Sequence, residues 1–165
     1  MLSGGIRAGI RRIPIRQGDR TMFFLPVALT TAGAAALLNL WLGWRVSQVR
    51  LAEKVWIGDG GNMRLSARMR AHSNFAEYAP IVLILIALIE LGAGTSLWLW
   101  IVAALFILGR ILHGFGMDGW MLGRRLGIAA TMLIMIGLAG YACWLGFNHQ
   151  GANPATQVFK IAPVK

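Results

Sequence analysis

Apolar residues in this chain fall into four long runs, at residues 22–44, 74–91, 96–114 and 126–147, separated by shorter polar stretches. The run Ile81-Val82-Leu83-Ile84-Leu85-Ile86-Ala87-Leu88-Ile89 is apolar on every face, without the two-residue alternation that marks a membrane barrel strand. A helix needs about 20 such residues to cross a hydrocarbon core of roughly 30 Å. The pattern therefore predicts an all-α integral membrane protein, a four-helix bundle occupying residues 22–147. Small residues cluster at 32–36 and again at Gly137, Ala139 and Gly140, which predicts close helix packing within or between subunits.

The polar positions are as patterned as the apolar ones. Where the second run begins, Arg70, Asn74 and Glu77 follow one another at i, i+4 and i+7, with Tyr78 and Pro80 just beyond. At about 100° per residue the three project from one narrow stripe. Such a stripe cannot face lipid, since a guanidinium, an amide and a carboxylate at membrane depth cost several kcal/mol each unless they meet partners or a polar ligand. Near the same end of the third run, Arg110 and His113 share a face at i and i+3. Arg110 is enclosed by apolar residues on both sides and must snorkel or pair inside the bundle, with Glu77 as its expected partner. Arg124 and Arg125 open the fourth run and complete a ring of basic groups around one pocket. Glu90, at the far end of the second run, is expected to be interfacial and solvated.

Composition agrees with a membrane protein: 57% of the 165 residues are hydrophobic and only 13% charged, with a mean hydropathy of +0.63. A net charge of +10 raises the question of nucleic acid. The basic residues sit at helix ends rather than on a solvated face, so no nucleic-acid partner is expected. Arg45, Arg50, Lys54, Arg64, Arg68, Arg70, Arg124 and Arg125 lie on one side of the membrane, against Lys160 and Lys165 on the other. That split places loops 45–73 and 115–125 in the cytoplasm. The five arginines of residues 1–21 would nearly erase it, so this basic extension reads as sequence ahead of a start at Met22, with a targeting peptide or a disordered arm as the alternative. Residues 148–165 form a C-terminal tail.

Other features are structural. The lone Cys143 reads as a small core residue, His113 has no companions at metal-ligand spacing, and Gly58-Asp59-Gly60-Gly61-Asn62 is a turn and not a phosphate loop. Seven tryptophans, mostly near helix ends, form an interfacial belt.

Several arginines and an asparagine around one carboxylate suit a small anionic ligand that also carries an ammonium group. Glutathione fits: arginines for its carboxylates, Glu77 for its amino group, Asn74 and Tyr78 for its peptide groups. A thiol beside an arginine has a lowered pKa and becomes a nucleophile toward a lipophilic electrophile dissolved in the bilayer.

The run carrying Arg64, Arg68, Arg70, Ala71, His72, Asn74, Phe75, Glu77, Tyr78 and Pro80, with Gly58-Asp59-Gly60-Gly61 before it and Arg110 and His113 after it, resembles the MAPEG family, the membrane-associated proteins of eicosanoid and glutathione metabolism, and in particular its bacterial members. The resemblance covers residues 22–147. It implies a homotrimer of four-helix subunits with glutathione as co-substrate between neighbouring subunits. Arg50, Arg70, Asn74, Glu77, Tyr78, Arg110 and His113 match glutathione contacts, and Arg124 matches the thiolate-stabilising arginine, with Arg125 one residue away as the other claimant. Met117 stands where eicosanoid synthases of the family carry a tyrosine, which weakens the case for prostaglandin or leukotriene synthesis. The resemblance implies a glutathione-dependent transferase or peroxidase acting on lipophilic molecules from the bilayer. A non-catalytic lipid-binding or scaffold protein on the same fold is the alternative, and inner-membrane localisation is expected.

Overall fold

The structure, a computed structural model, describes residues 24–148. The basic extension 1–21, the expected start at Met22 and the tail beyond Asn148 lie outside the described residues. Four helices follow one another: α1 (Pro26–Glu53), α2 (Met63–Ala93), α3 (Leu97–Gly116) and α4 (Met121–Asn148). Each is long and apolar enough to cross a membrane, and no strand occurs among the described residues.

The helices are longer than the apolar runs. The stretch 45–73, expected to be a loop, is helical except for residues 54–62, because α1 continues to Glu53 and α2 begins at Met63. Hydropathy registers where the hydrocarbon ends, whereas the backbone hydrogen-bond ladder carries on into the interface. The 31 residues of α2 span about 46 Å at 1.5 Å each, well beyond a core of roughly 30 Å. Between α1 and α2 the chain reverses at Lys54, Gly58, Gly60 and Gly61, all at positive φ, and Asn62 caps α2 by accepting from the Leu65 N–H at 3.0 Å. The expected glycine turn is therefore a turn.

Helices α2 and α3 form the centre of the bundle, each touching every other helix, while α1 and α4 flank them on opposite sides without meeting. Phe75, Val82 and Ile86 of α2 pack with Leu99 and Phe106 of α3, with Leu38 and Leu42 from α1 and Leu138 from α4 closing the core. Helix α4 contributes the least. Its only buried residues are Gly123, Gly127, Thr131 and Leu138. Cys143 lies about 140° round the helix from Leu138, at 100° per residue, and is exposed rather than part of the core. The glycines singled out by clustering, Gly137 and Gly140, face open space within this chain. The close contact between α3 and α4 is made by Gly109 and Gly127 instead.

At the end away from the arginines, Glu90 departs from expectation. It is 2% exposed, not solvated. Helix α1 starts with Pro26 at its first turn and has no capping side chain of its own. The Glu90 carboxylate supplies the cap, accepting from the N–H of Val27 at 3.0 Å and of Ala28 at 2.8 Å, and from the Thr95 hydroxyl at 2.8 Å. A negative group at a helix N-terminus also meets the positive end of the helix dipole. Glu90→Leu is expected to destabilise the fold by about 2–3 kcal/mol, the scale of hydrogen bonds to a charged group, and Glu90→Gln by less. An unchanged thermal melting point for Glu90→Leu in detergent would contradict this cap.

Candidate functional site

At the arginine-rich end the i, i+4, i+7 stripe of α2 turns toward α3 and α4 and forms one wall of a cleft of about 270 Å³. Helix α2 lines it with Arg70, Ser73, Asn74 and Glu77, α3 with His113 and Met117, and α4 with Arg124 and Ile128. Five residues predicted from sequence thus converge: Arg70, Asn74, Glu77, His113 and Arg124. Arg70, Glu77 and Arg124 are exposed to the cleft, whereas His113 is buried.

Arg110 lies beneath this wall rather than in it. It is 1% exposed, with its guanidinium 5.4 Å from the Phe75 ring centroid, and one terminal nitrogen donates to the Asn74 side-chain oxygen at 2.9 Å. Its Nε and other terminal nitrogen are buried and meet no acceptor among the described residues. The expected Arg110–Glu77 pair is not formed. Asn74, one turn nearer the membrane surface, takes the place opposite Arg110, and Glu77 accepts instead from the Ser73 hydroxyl at 3.1 Å. Glu77 forms no ion pair among the described residues and is exposed to the cleft.

Three other predicted residues are not brought to the cleft. The Arg50 guanidinium donates to the carbonyls of Val55, Trp56 and Gly58 at 3.0–3.3 Å, which ties down the α1–α2 turn. Tyr78 is half-buried, one turn deeper than Asn74, and Arg125 is exposed beside the cleft without lining it.

The sequence reading missed a second polar cluster next to the first. Arg45 and Arg68, which the charge pattern places at the interface, are 5% and 8% exposed. Both pair with Asp118 in the α3–α4 turn: Arg45 through a terminal nitrogen to Oδ2, and Arg68 through Nε to Oδ1 at 3.0 Å. Arg45 also donates to the Gly114 carbonyl at 2.9 Å and lies 4.6 Å from the Trp41 ring centroid, and Arg68 donates to the Arg45 carbonyl at 3.0 Å. A signal was present, since Asp118 is the one acidic residue between the third and fourth runs and Trp41 precedes Arg45 by one helical turn.

Chemically, the cleft sets two exposed guanidiniums, Arg70 and Arg124, around one exposed carboxylate, with a third guanidinium buried behind Asn74. Met117 and Ile128 add an apolar edge. It can hold an anion, and an ammonium group at Glu77, next to a lipophilic partner.

The MAPEG family model matches residues 28–144, which takes in all four helices but for two residues at the start of α1 and four at the end of α4. The chain is also similar to inner membrane protein YecN of Escherichia coli, in strain K12 and in an O6:H1 strain. Each is 30% identical over 114 residues, a match that covers 67% of this chain and 87% of the relative.

Proposed function

This chain belongs to the MAPEG family, and from that premise we propose that its cleft binds glutathione and that the protein is a membrane-embedded glutathione-dependent transferase or peroxidase acting on lipophilic electrophiles or hydroperoxides. The observation that carries the reading is Arg110: a guanidinium 1% exposed, hydrogen-bonded to Asn74, with two further N–H-bearing nitrogens lacking an acceptor. Burying unpaired donors costs several kcal/mol, and a ligand carboxylate reaching past Asn74 removes that cost. Arg70 takes the second carboxylate, Glu77 the amino group and Asn74 a peptide group. Arg124, on the facing wall, stabilises the thiolate. The thiolate sulfur attacks an electrophilic carbon, and the displaced group leaves with the bonding pair. With a hydroperoxide it attacks the outer oxygen and releases the alcohol, and a second glutathione then closes the disulfide with loss of water.

The cleft is bordered by Ser73 and Glu77, which α2 exposes on one face together with Pro80. A neighbouring copy in a homotrimer completes it in this reading. The excess of arginine at this end orients the cleft toward the cytoplasm of a bacterial inner membrane, the compartment named for the relatives.

Titration calorimetry of glutathione into the detergent-purified oligomer tests the site. Binding at a Kd on the order of 1 mM or tighter, about −4 kcal/mol, is expected, and its loss in the double variant Arg70→Ala, Glu77→Ala. A folded oligomer that takes up no glutathione would favour a lipid-binding or scaffold role on the same fold.

A further inference from the structure

We propose that Asp118 is a positioning residue: by accepting from Arg45 of α1 and Arg68 of α2 it holds the α3–α4 turn in place and thereby sets Arg124 against the cleft. Helices α1 and α4 do not touch, so the first turn of α4 has no direct tie to α1. Asp118 makes that tie through the turn: Oδ1 accepts from Arg68 Nε, and Oδ2 accepts from Arg45 and, at 3.5 Å, from a terminal nitrogen of Arg68.

The link from Asp118 to Arg124 is short and stiff. Asp118 donates its N–H to the Phe115 carbonyl at 3.0 Å, and Arg124 donates its own to the Trp120 carbonyl at 3.2 Å, so both ends of the turn are fixed to their helices. Gly116, two residues before Asp118 at the end of α3, lies so close to Arg124 that a side chain there would strike the Arg124 backbone nitrogen and Cα. A displacement of the turn is therefore passed to the Arg124 backbone rather than absorbed by side chains. On the other side, Arg45 is held by the Gly114 carbonyl and by the faces of Trp41 and Phe115, at 4.6 and 5.6 Å to the ring centroids. The brace thus ends on rigid groups at both ends.

Two buried arginines sharing one solvent-exposed carboxylate are a modest source of net stability, because desolvating the two guanidiniums offsets much of their attraction to it. What the arrangement supplies is direction: forked guanidiniums fix a carboxylate in orientation as well as in distance. Met117, the neighbour of Asp118, lines the cleft itself, which places the brace directly behind the site.

The brace stands on its own geometry, while its effect on a bound thiol rests on the glutathione reading, so the test has two arms. In the first, hydrogen–deuterium exchange is measured on the full-length oligomer without ligand. Asp118→Asn is expected to exchange faster at residues 115–124 while the far ends of the helices are unchanged, and Asp118→Glu is expected to restore most of the protection. In the second, the ultraviolet absorbance of the thiolate of bound glutathione is followed against pH. Here two effects have opposite signs. Through space, removing the Asp118 charge favours the thiolate; displacing Arg124 disfavours it. Positioning predicts that the ratio of thiolate to thiol near neutral pH falls about tenfold in Asp118→Asn, the size expected on losing one adjacent positive charge, while glutathione affinity, set by α2, changes little. Unchanged exchange at residues 115–124 in a folded Asp118→Asn protein, or a thiolate fraction that rises, would overturn the brace. If the unaltered protein takes up no glutathione, the functional reading falls and the exchange arm alone decides the brace.

Discussion

Gly127→Ala is expected to force α3 and α4 apart and to cost about 3 kcal/mol or more, at the upper end of what overpacking does in a filled core. A Cβ at position 127 would lie 2.5 Å from the Gly109 carbonyl oxygen, 2.6 Å from the His113 Cβ and 2.7 Å from the His113 backbone nitrogen. Two of those three neighbours are backbone, so no rotamer change relieves the contact, and α4 itself must move. Arg124 lies one turn before Gly127 and Ile128 one residue after it, and both line the cleft. The same movement therefore widens the site. Gly137→Ala is the control, because its Cβ would meet nothing within 4 Å, and alanine is a better helix residue than glycine by about 1 kcal/mol. Thermal unfolding in detergent checks both. A Gly127→Ala protein melting with the unaltered one would show that α4 does not pack as described.

The four spans were legible because a hydrocarbon core imposes a length on any apolar run, and no soluble fold demands that of four segments in 165 residues. The ends of the helices were not, since a helix leaving the membrane keeps its hydrogen bonds while its composition turns polar. Hence α1 runs to Glu53 although its apolar run stops at Trp44. In the site, the stripe of Arg70, Asn74 and Glu77 was readable from the helical period alone, and the convergence of His113 and Arg124 on it followed from which ends of antiparallel helices meet. Partner choice was not readable. Whether Arg110 meets Asn74 or Glu77 depends on the offset between α2 and α3 by a single turn, which the spacing within either helix leaves free. Glu90 and Asp118 were missed for the same reason: each is one acid at a helix end, and its role is defined by residues 63 and 73 positions away in sequence, at Val27 and at Arg45.

Arg110→Met is expected to move stability and binding in opposite directions. In the ligand-free protein the guanidinium is 1% exposed, and only one of its nitrogens meets an acceptor. A buried charge without a counterion is a cost to the fold, and replacing such groups by apolar side chains of similar size is often stabilising by about 1–4 kcal/mol. Methionine is long and flexible enough to fill the space beside Phe75. The loss of the hydrogen bond to Asn74 works against this by about 1 kcal/mol, because Asn74 sits at the cleft, where water can take over its oxygen. The ligand-free variant should therefore melt at or above the temperature of the unaltered protein. Glutathione binding should fall by about 30-fold or more, the equivalent of the 2 kcal/mol or greater cost of truncating one partner of a buried charged pair. The combination is informative because a residue held only for packing would lose stability on replacement, and one irrelevant to the ligand would leave binding alone. A drop in melting temperature in Arg110→Met would mean that the guanidinium is already satisfied without ligand, and its buried nitrogens would then no longer point to an anionic ligand.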